Sequence, residues 1–157
     1  MLFSDKIDMT INVRELLVSE FGMAEKVWQN YHQQKADPAA DRIFAVFVDG
    51  ALAGVARCKL HTDGNELDGV YVLEQFRGQG LARRVVESLI TACGDAMLYL
   101  HSTLELIQFY RSFGFVPIQE NDLPLTIKER FAMCFGEMMG CNVCPMRRDP
   151  PLAKRGQ

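Results

Sequence analysis

The 157-residue chain holds no apolar run approaching the ~20 residues that cross a bilayer, so no membrane-spanning helix is expected. Its first residues, Met1-Leu2-Phe3-Ser4-Asp5-Lys6, lack the basic stretch and apolar run of a secretory signal. A basic excess is missing too. Lys and Arg number 17 against 20 Asp and Glu, a net charge of -3, and a nucleic-acid binder would usually present a basic face. Neither nucleic acid nor membrane is therefore expected as a partner. Paired cysteines are also absent: the five (Cys58, Cys93, Cys134, Cys141, Cys144) are odd in number and scattered. Without an export signal they read as reduced thiols in a cytoplasmic protein. No internal repeat or long linker is visible.

What is present is an ordinary globular composition, 48% apolar and 24% charged. That length suits one domain with a core of its own, placed at residues 1–149. The polar, proline-rich end from Pro150-Pro151 to Gln157 is expected to be a disordered tail.

The order of elements follows from hydrophobic period. Ile11 to Leu17 reads as a strand, and Phe21, Ala24, Val27, Trp28 and Tyr31 then fall at helical spacing, with Ser19 as N-cap. The segment Ala36 to Asp41 breaks that helix. Ile43–Val48 and Ala51–Leu60 flank Asp49-Gly50, a strong hairpin signal, and Glu66–Leu73 returns as a third antiparallel strand. Leu81, Val85, Leu89 and Ala92 make the stripe of a helix ending near Gly94. A buried strand is expected at Ala96–Leu100, a helix at Leu104–Phe113 closed by Gly114, and a strand at Phe115–Gln119. Ile127, Phe131, Phe135 and Met138 predict a helix over 125–139 with Pro124 at its start, followed by a last strand at Cys141–Arg147.

The chemistry begins at Arg77-Gly78-Gln79-Gly80-Leu81-Ala82, where a strand passes through a glycine turn into a helix. First-turn amides have no intrahelical acceptors and the helix dipole is positive there, so an anion such as a pyrophosphate is the natural partner. Gly78 and Gly80 admit close approach, Ala82 keeps the next turn small, and Arg77, Arg83 and Arg84 add positive charge. A dinucleotide fingerprint fails because Arg83 stands where a third glycine or alanine is needed and an antiparallel meander precedes the loop. A triphosphate loop of the G-x-x-x-x-G-K-[ST] type is absent. A merely tight turn is disfavoured by the strand-to-helix setting.

These residues resemble the GNAT N-acetyltransferase superfamily. Arg77-Gly78-Gln79-Gly80-Leu81-Ala82 matches the family pattern Arg/Gln-x-x-Gly-x-Gly/Ala, and Phe109-Tyr110-Arg111-Ser112-Phe113-Gly114-Phe115 is similar to its second block. The resemblance, spanning roughly Ile11 to Gln119, implies an α+β fold: a mixed, mostly antiparallel twisted sheet of about seven strands flanked by helices. It implies acetyl-CoA as co-substrate and an N-acetyltransferase acting by direct attack of a primary amine in a ternary complex. Val70, Tyr71 and Val72 would hydrogen-bond the pantetheine through their backbone. The pyrophosphate would lie on the amides of Arg77, Gly78, Gln79, Gly80, Leu81, Ala82 and Arg83. Tyr110 would protonate the departing thiolate. Thr103 and Leu106 stand where the family often has Asn and Ala, so Thr103 brings a hydroxyl to the pantetheine in place of an amide.

For the base that deprotonates the amine, Glu66 leads because it opens the central strand, with Asp68 second and His61 or His101 as alternatives. Exposed carboxylates at a strand entrance are the plain alternative for Glu66 and Asp68. The acceptor could be a small metabolite or a protein amine. A non-catalytic acyl-CoA-binding regulatory module is the other reading.

Cys141-Asn142-Val143-Cys144 lacks the second ligand pair that zinc needs, so no metal is expected, and the pair reads as small apolar residues in an edge strand. The family usually joins its last two strands by a short hairpin. This chain places a helix there instead, read first as an extra core helix and alternatively as a wall of the acceptor site or a homodimer contact.

Overall fold

The computed structural model describes residues 8–29, 31, 33–135 and 143–152. The chain runs β1 (Ile11–Glu15), α1 (Phe21–Trp28), β2 (Asp41–Val48), β3 (Ala51–His61), β4 (Gly64–Val72), α2 (Leu81–Cys93) and β5 (Leu98–Thr103). It continues through α3 (Ile107–Arg111), β6 (Val116–Pro117), α4 (Leu125–Phe135) and β7 (Val143–Arg148). The strands form one seven-stranded sheet in the order β1-β2-β3-β4-β5-β7-β6.

Both faces of the sheet are covered, which explains why β2 reads as a continuous apolar run. Phe44, Val46 and Val48 pack on one side with Val85, Val86 and Leu89 of α2 and with Leu98 and Leu100 of β5. Ile43, Ala45 and Phe47 pack on the other with Phe21, Ala24, Val27 and Trp28 of α1. This alternation is the period-two geometry of a strand. α4 covers the second face further along, where Ile127 and Leu123 bury against Tyr99.

Several expectations shift. Ser19 does not cap α1: it lies in a short 3-10 turn, Val18–Glu20, where the Glu20 carboxylate accepts from the Leu17 amide at 2.9 Å. That carboxylate also pairs with Arg14 at 2.7 Å, a stronger charge-assisted partner than a serine hydroxyl could offer. The expected strand 115–119 shrinks to Val116–Pro117: Ile118 still donates to the Pro145 carbonyl at 2.9 Å, but Pro145 has no N–H to return the bond, so the ladder ends there. β7 is not an edge strand, since it pairs with β5 on one side and β6 on the other. The expected helix residues 136–139, the strand start at Cys141 and the tail 153–157 lie outside the described residues.

The central relationship is between β4 and β5. They are parallel and share only two register pairs, Asn65–Leu98 and Glu66–Tyr99. Beyond these the strands part, β4 following β3 and β5 following β7. A bulge reinforces the divergence: Val55 pairs with Tyr71 but Arg57 pairs with Asp68, so β4 carries one extra residue. Gly69 sits in that bulge at φ +61°, and a Cβ there would lie 2.9 Å from the Trp28 ring.

Candidate active site

The parting of β4 and β5 opens a cavity of about 210 Å³. Gly69 and Val70 line one edge, and Ser102 and Thr103 the other. Leu106 and Tyr110 enter from the α3 side, while Tyr31, Gln34, Arg130 and Phe131 line it from the α1 and α4 side. The slot is therefore walled from both faces of the sheet.

Tyr110 is 7% exposed and packs edge-on against Phe109 and Phe115, with ring centroids 5.0 and 6.0 Å away. Its hydroxyl has no hydrogen-bond partner among the described residues. Burial pushes the phenol up from its ordinary value, and the charge of Asp68 adds to this, so the group stays protonated at neutral pH.

On the opposite face lies a buried charge network. Arg57, with no exposed surface, forks onto both oxygens of Asp68 at 2.7 Å and reaches Asp41 Oδ2 at 3.5 Å. It also donates to Gln34 Oε1 and the Lys35 carbonyl, each at 3.0 Å, and its guanidinium stacks 4.6 Å over the Trp28 ring. Arg130 from α4 joins Asp68 Oδ2 at 2.8 Å and Glu66 Oε1 at 3.1 Å. Burial acts to raise the Asp68 carboxyl, but hydrogen bonds from Arg57 and the charges of both arginines hold it below its ordinary value. Such a network favours one placement of α4, because removing either sign would strand the other in a poorly solvated site.

The helix end is equally specific. Gly78 and Gly80 adopt φ +83° and +73°, and nothing lies within 4 Å of where a Cβ would stand at either. Arg77 N–H donates to Glu74 and Arg84 N–H to Gly80. Between them, the amides of Gly78, Gln79, Gly80, Leu81, Ala82 and Arg83 have no backbone acceptor among the described residues. A cradle of unpaired donors at a helix N-terminus fits a doubly charged phosphate group.

The arginines around this cradle are more committed than the sequence suggests. Arg77 donates from Nε to the Val72 carbonyl at 2.9 Å and stacks 5.2 Å over the Tyr71 ring, bracing the strand against the loop. Arg83 donates to Ser112 Oγ at 2.8 Å and stacks on Phe113. Leu73 N–H bonds to Ala53 on β3, so by strand alternation the backbone of Val72 faces the gap, while Tyr71 turns toward β3.

Glu66, Val70, Thr103 and Tyr110 thus meet at one cavity, whereas Tyr71, Val72 and the loop Arg77–Arg83 follow on from it along the chain. The picture of Glu66 as an exposed carboxylate is corrected: it is 3% exposed, with Oε1 held by His61 at 2.9 Å and by Arg130. The α4 helix buries Ile127, as the first reading has it, and also brings Arg130 and Phe131 to the cavity. Cys58 and Cys93 sit in the core and Cys144 is half-buried, while Cys141 and the Cys134 side chain lie outside the described residues. Sequence reasoning missed Gly69, Gln34, Tyr31, Ser102 and Arg130. Only Gly69 carried a signal, as a lone glycine inside a strand pattern.

The profile of the Acetyltransferase (GNAT) family matches residues 10–115. No curated protein matches the sequence significantly. Among solved structures, Escherichia coli ElaA is similar at 20% identity and TM-score 0.61, over 89% of this chain and 100% of that one. The ribosomal-protein-S18-alanine N-acetyltransferase from Escherichia coli aligns at 20% identity and TM-score 0.66, over 94% and 99%. An N-acetylglutamate synthase from Neisseria gonorrhoeae, complexed with coenzyme A and N-acetyl-glutamate, aligns at 17% identity and TM-score 0.69. The match covers 90% of this chain but 35% of the synthase. At such identities these structures speak to fold.

Proposed function

The chain belongs to the Acetyltransferase (GNAT) family, and we propose that it moves an acetyl group from acetyl-CoA to a primary amine by direct attack in a ternary complex. Residues 1–149 would act as one catalytic domain. The observation that carries this reading is the row of unpaired amides from Gly78 to Arg83, leading on from the strand that edges the slot. The cradle suits the pyrophosphate of coenzyme A, and the parted strands suit its pantetheine arm. In this reading Val70 and Val72 offer backbone groups to the arm, and Thr103 offers its hydroxyl from the other edge. The thioester then lies beside Tyr110, whose neutral phenol gives its proton to the leaving thiolate as the C–S bond breaks.

The acceptor amine approaches from the face carrying Glu66, Asp68, Arg130 and Phe131. Glu66 and Asp68 draw an ammonium group toward the slot, although both already share Arg130. The reaction is tested by screening amines, from small metabolites to peptide N-termini, with acetyl-CoA and reading thiol release. Acetylation of at least one class is expected. Acetyl-CoA binding without turnover on any amine would leave a binding module, and failure to bind any CoA ester would overturn the reading altogether.

A further inference from the structure

We propose that His101, oriented by Glu120, is the group that takes the proton from the acceptor amine, an inference that rests on the acetyl-transfer reading above. Glu66 and Tyr99 are register partners, so Asp68 and His101, each two residues further on, project on the same face of the parting strands. That is the face from which Tyr31, Gln34, Arg130 and Phe131 wall the cavity, and His101 lines the cavity with them. The His101 side chain is 5% exposed. Its ring stacks on Phe131 with centroids 3.8 Å apart and planes 17° from parallel.

The two ring nitrogens differ. Nε2 lies 3.2 Å from Glu120 Oε1, and a carboxylate accepts, so the neutral ring carries its hydrogen on Nε2. Nδ1 is then a lone-pair acceptor. It is buried and has no partner among the described residues. Leaving such an atom unsatisfied costs about 1–3 kcal/mol, which an N–H donor would offset once the ring turns to bring Nδ1, enclosed here, to the slot. An acceptor amine supplies that donor.

Glu66 is less suited to the task, because its Oε1 is shared by Arg130 and His61. The charged and titratable groups around the cavity are Glu66 and Asp68 from β4, Arg130 from α4, Tyr110 from α3 and Tyr31 beyond α1. In register on β7 stands Pro145, which does not titrate. Among the described residues Glu120 is the one within hydrogen-bond reach of the ring.

The step balances as follows. Nδ1 takes one proton from the ammonium, and the freed nitrogen pair forms the C–N bond to the thioester carbonyl. The C–S bond then breaks, Tyr110 gives its proton to the sulfur, and the second proton lost by the amide nitrogen returns to the Tyr110 oxygen. The His101 proton leaves to solvent.

The test uses the full chain with the best amine from the screen and two variants. His101→Phe keeps the stack on Phe131 without a nitrogen, and His101→Gln keeps a donor near Glu120 without the lone pair at Nδ1. Both are expected to lower kcat by about 10²-fold or more, to leave acetyl-CoA affinity unchanged, and to remove the acidic limb of the pH–kcat profile. Glu120→Gln, which removes the carboxylate that accepts from Nε2, should lower kcat while KM and acetyl-CoA affinity stay unchanged, a split that a purely structural role would not give. Retention of the wild-type profile in both His101 variants, or its loss in Glu66→Gln alone, would overturn the assignment. A wild-type protein that acetylates no amine fails at the earlier reading, and this one falls with it.

Discussion

Trp28 donates its indole N–H to the carbonyl of Gly69 at 2.9 Å, tying the end of α1 to the bulge of β4. The contact is close because Gly69 has no side chain: its backbone approaches the ring where a Cβ would collide. The bulge in turn lies where β4 leaves β5, so one tryptophan and one glycine help to hold the slot open.

Gly69→Ala should therefore cost stability through both the positive φ and the clash with Trp28. A loss of at least about 1–3 kcal/mol is expected from the backbone strain alone. Urea denaturation checks it, and an unchanged midpoint would mean that the ring and bulge can shift apart freely. Acetyl-CoA affinity should fall alongside.

Tyr110→Phe removes only the phenolic oxygen from a packed aromatic site. A fall in kcat of roughly 10²-fold is expected with acetyl-CoA affinity unchanged, as for loss of a general acid. Steady-state kinetics beside calorimetric binding separates the two. Because burial raises this phenol above its ordinary range, no decline in rate from its ionisation should appear below about pH 10.

Gly80→Val places a β-branched side chain at φ +73°, at the head of the amide cradle. The left-handed backbone costs about 1–2 kcal/mol for such a residue, so the loop should rearrange. Acetyl-CoA binding measured by calorimetry should weaken by more than about tenfold, which corresponds to a loss of about 1.4 kcal/mol. An unaltered affinity would remove the cradle from the cofactor site.

Arg57→Leu leaves Asp68 and Asp41 without the guanidinium that joins them. Breaking one side of a buried ion network typically costs about 3–5 kcal/mol, and a loss of that order is expected in chemical denaturation. Lys59, 2.8 Å from Asp41, offsets only part of it.

The same network sets an acid limit. The folded-state pKa of Asp68 is depressed, so its contribution is fully present above the unfolded carboxyl value of about 3.9 and is lost as pH falls through the lower folded value. Thermal melts taken from neutral pH down to about pH 3 should show stability dropping at the acid end. Asp68→Asn should be less stable at neutral pH, and its melting temperature should fall less steeply below about pH 4.

Local features of this protein were legible in its sequence because their causes are local. A hairpin at Asp49-Gly50 needs two residues that tolerate positive φ, and they take φ 50° and 80°. The turn into α2 needs glycines at Gly78 and Gly80, and the stripe Leu81, Val85, Leu89 needs one apolar face. Tyr110 was found through the block around it. Strand ends and the Ser19 cap were misread where a distant partner decided them, as Arg14 decides the role of Glu20.

Tertiary structure alone decided the slot and its occupants. No residue records that β4 and β5 pair twice and then part, because the divergence follows from each strand keeping a different neighbour. Sequence leaves Glu66 between a base and a solvated carboxylate; the fold buries it and brings Arg130, 64 positions away in the chain, against it. His101 looked like any lone histidine until Glu120 and Phe131 closed around its ring and left one nitrogen unpaired. Burial and pairing are properties of what surrounds a side chain, and for these residues much of the surroundings comes from the segment between the last two strands, Glu120 from its start and Arg130 and Phe131 from α4.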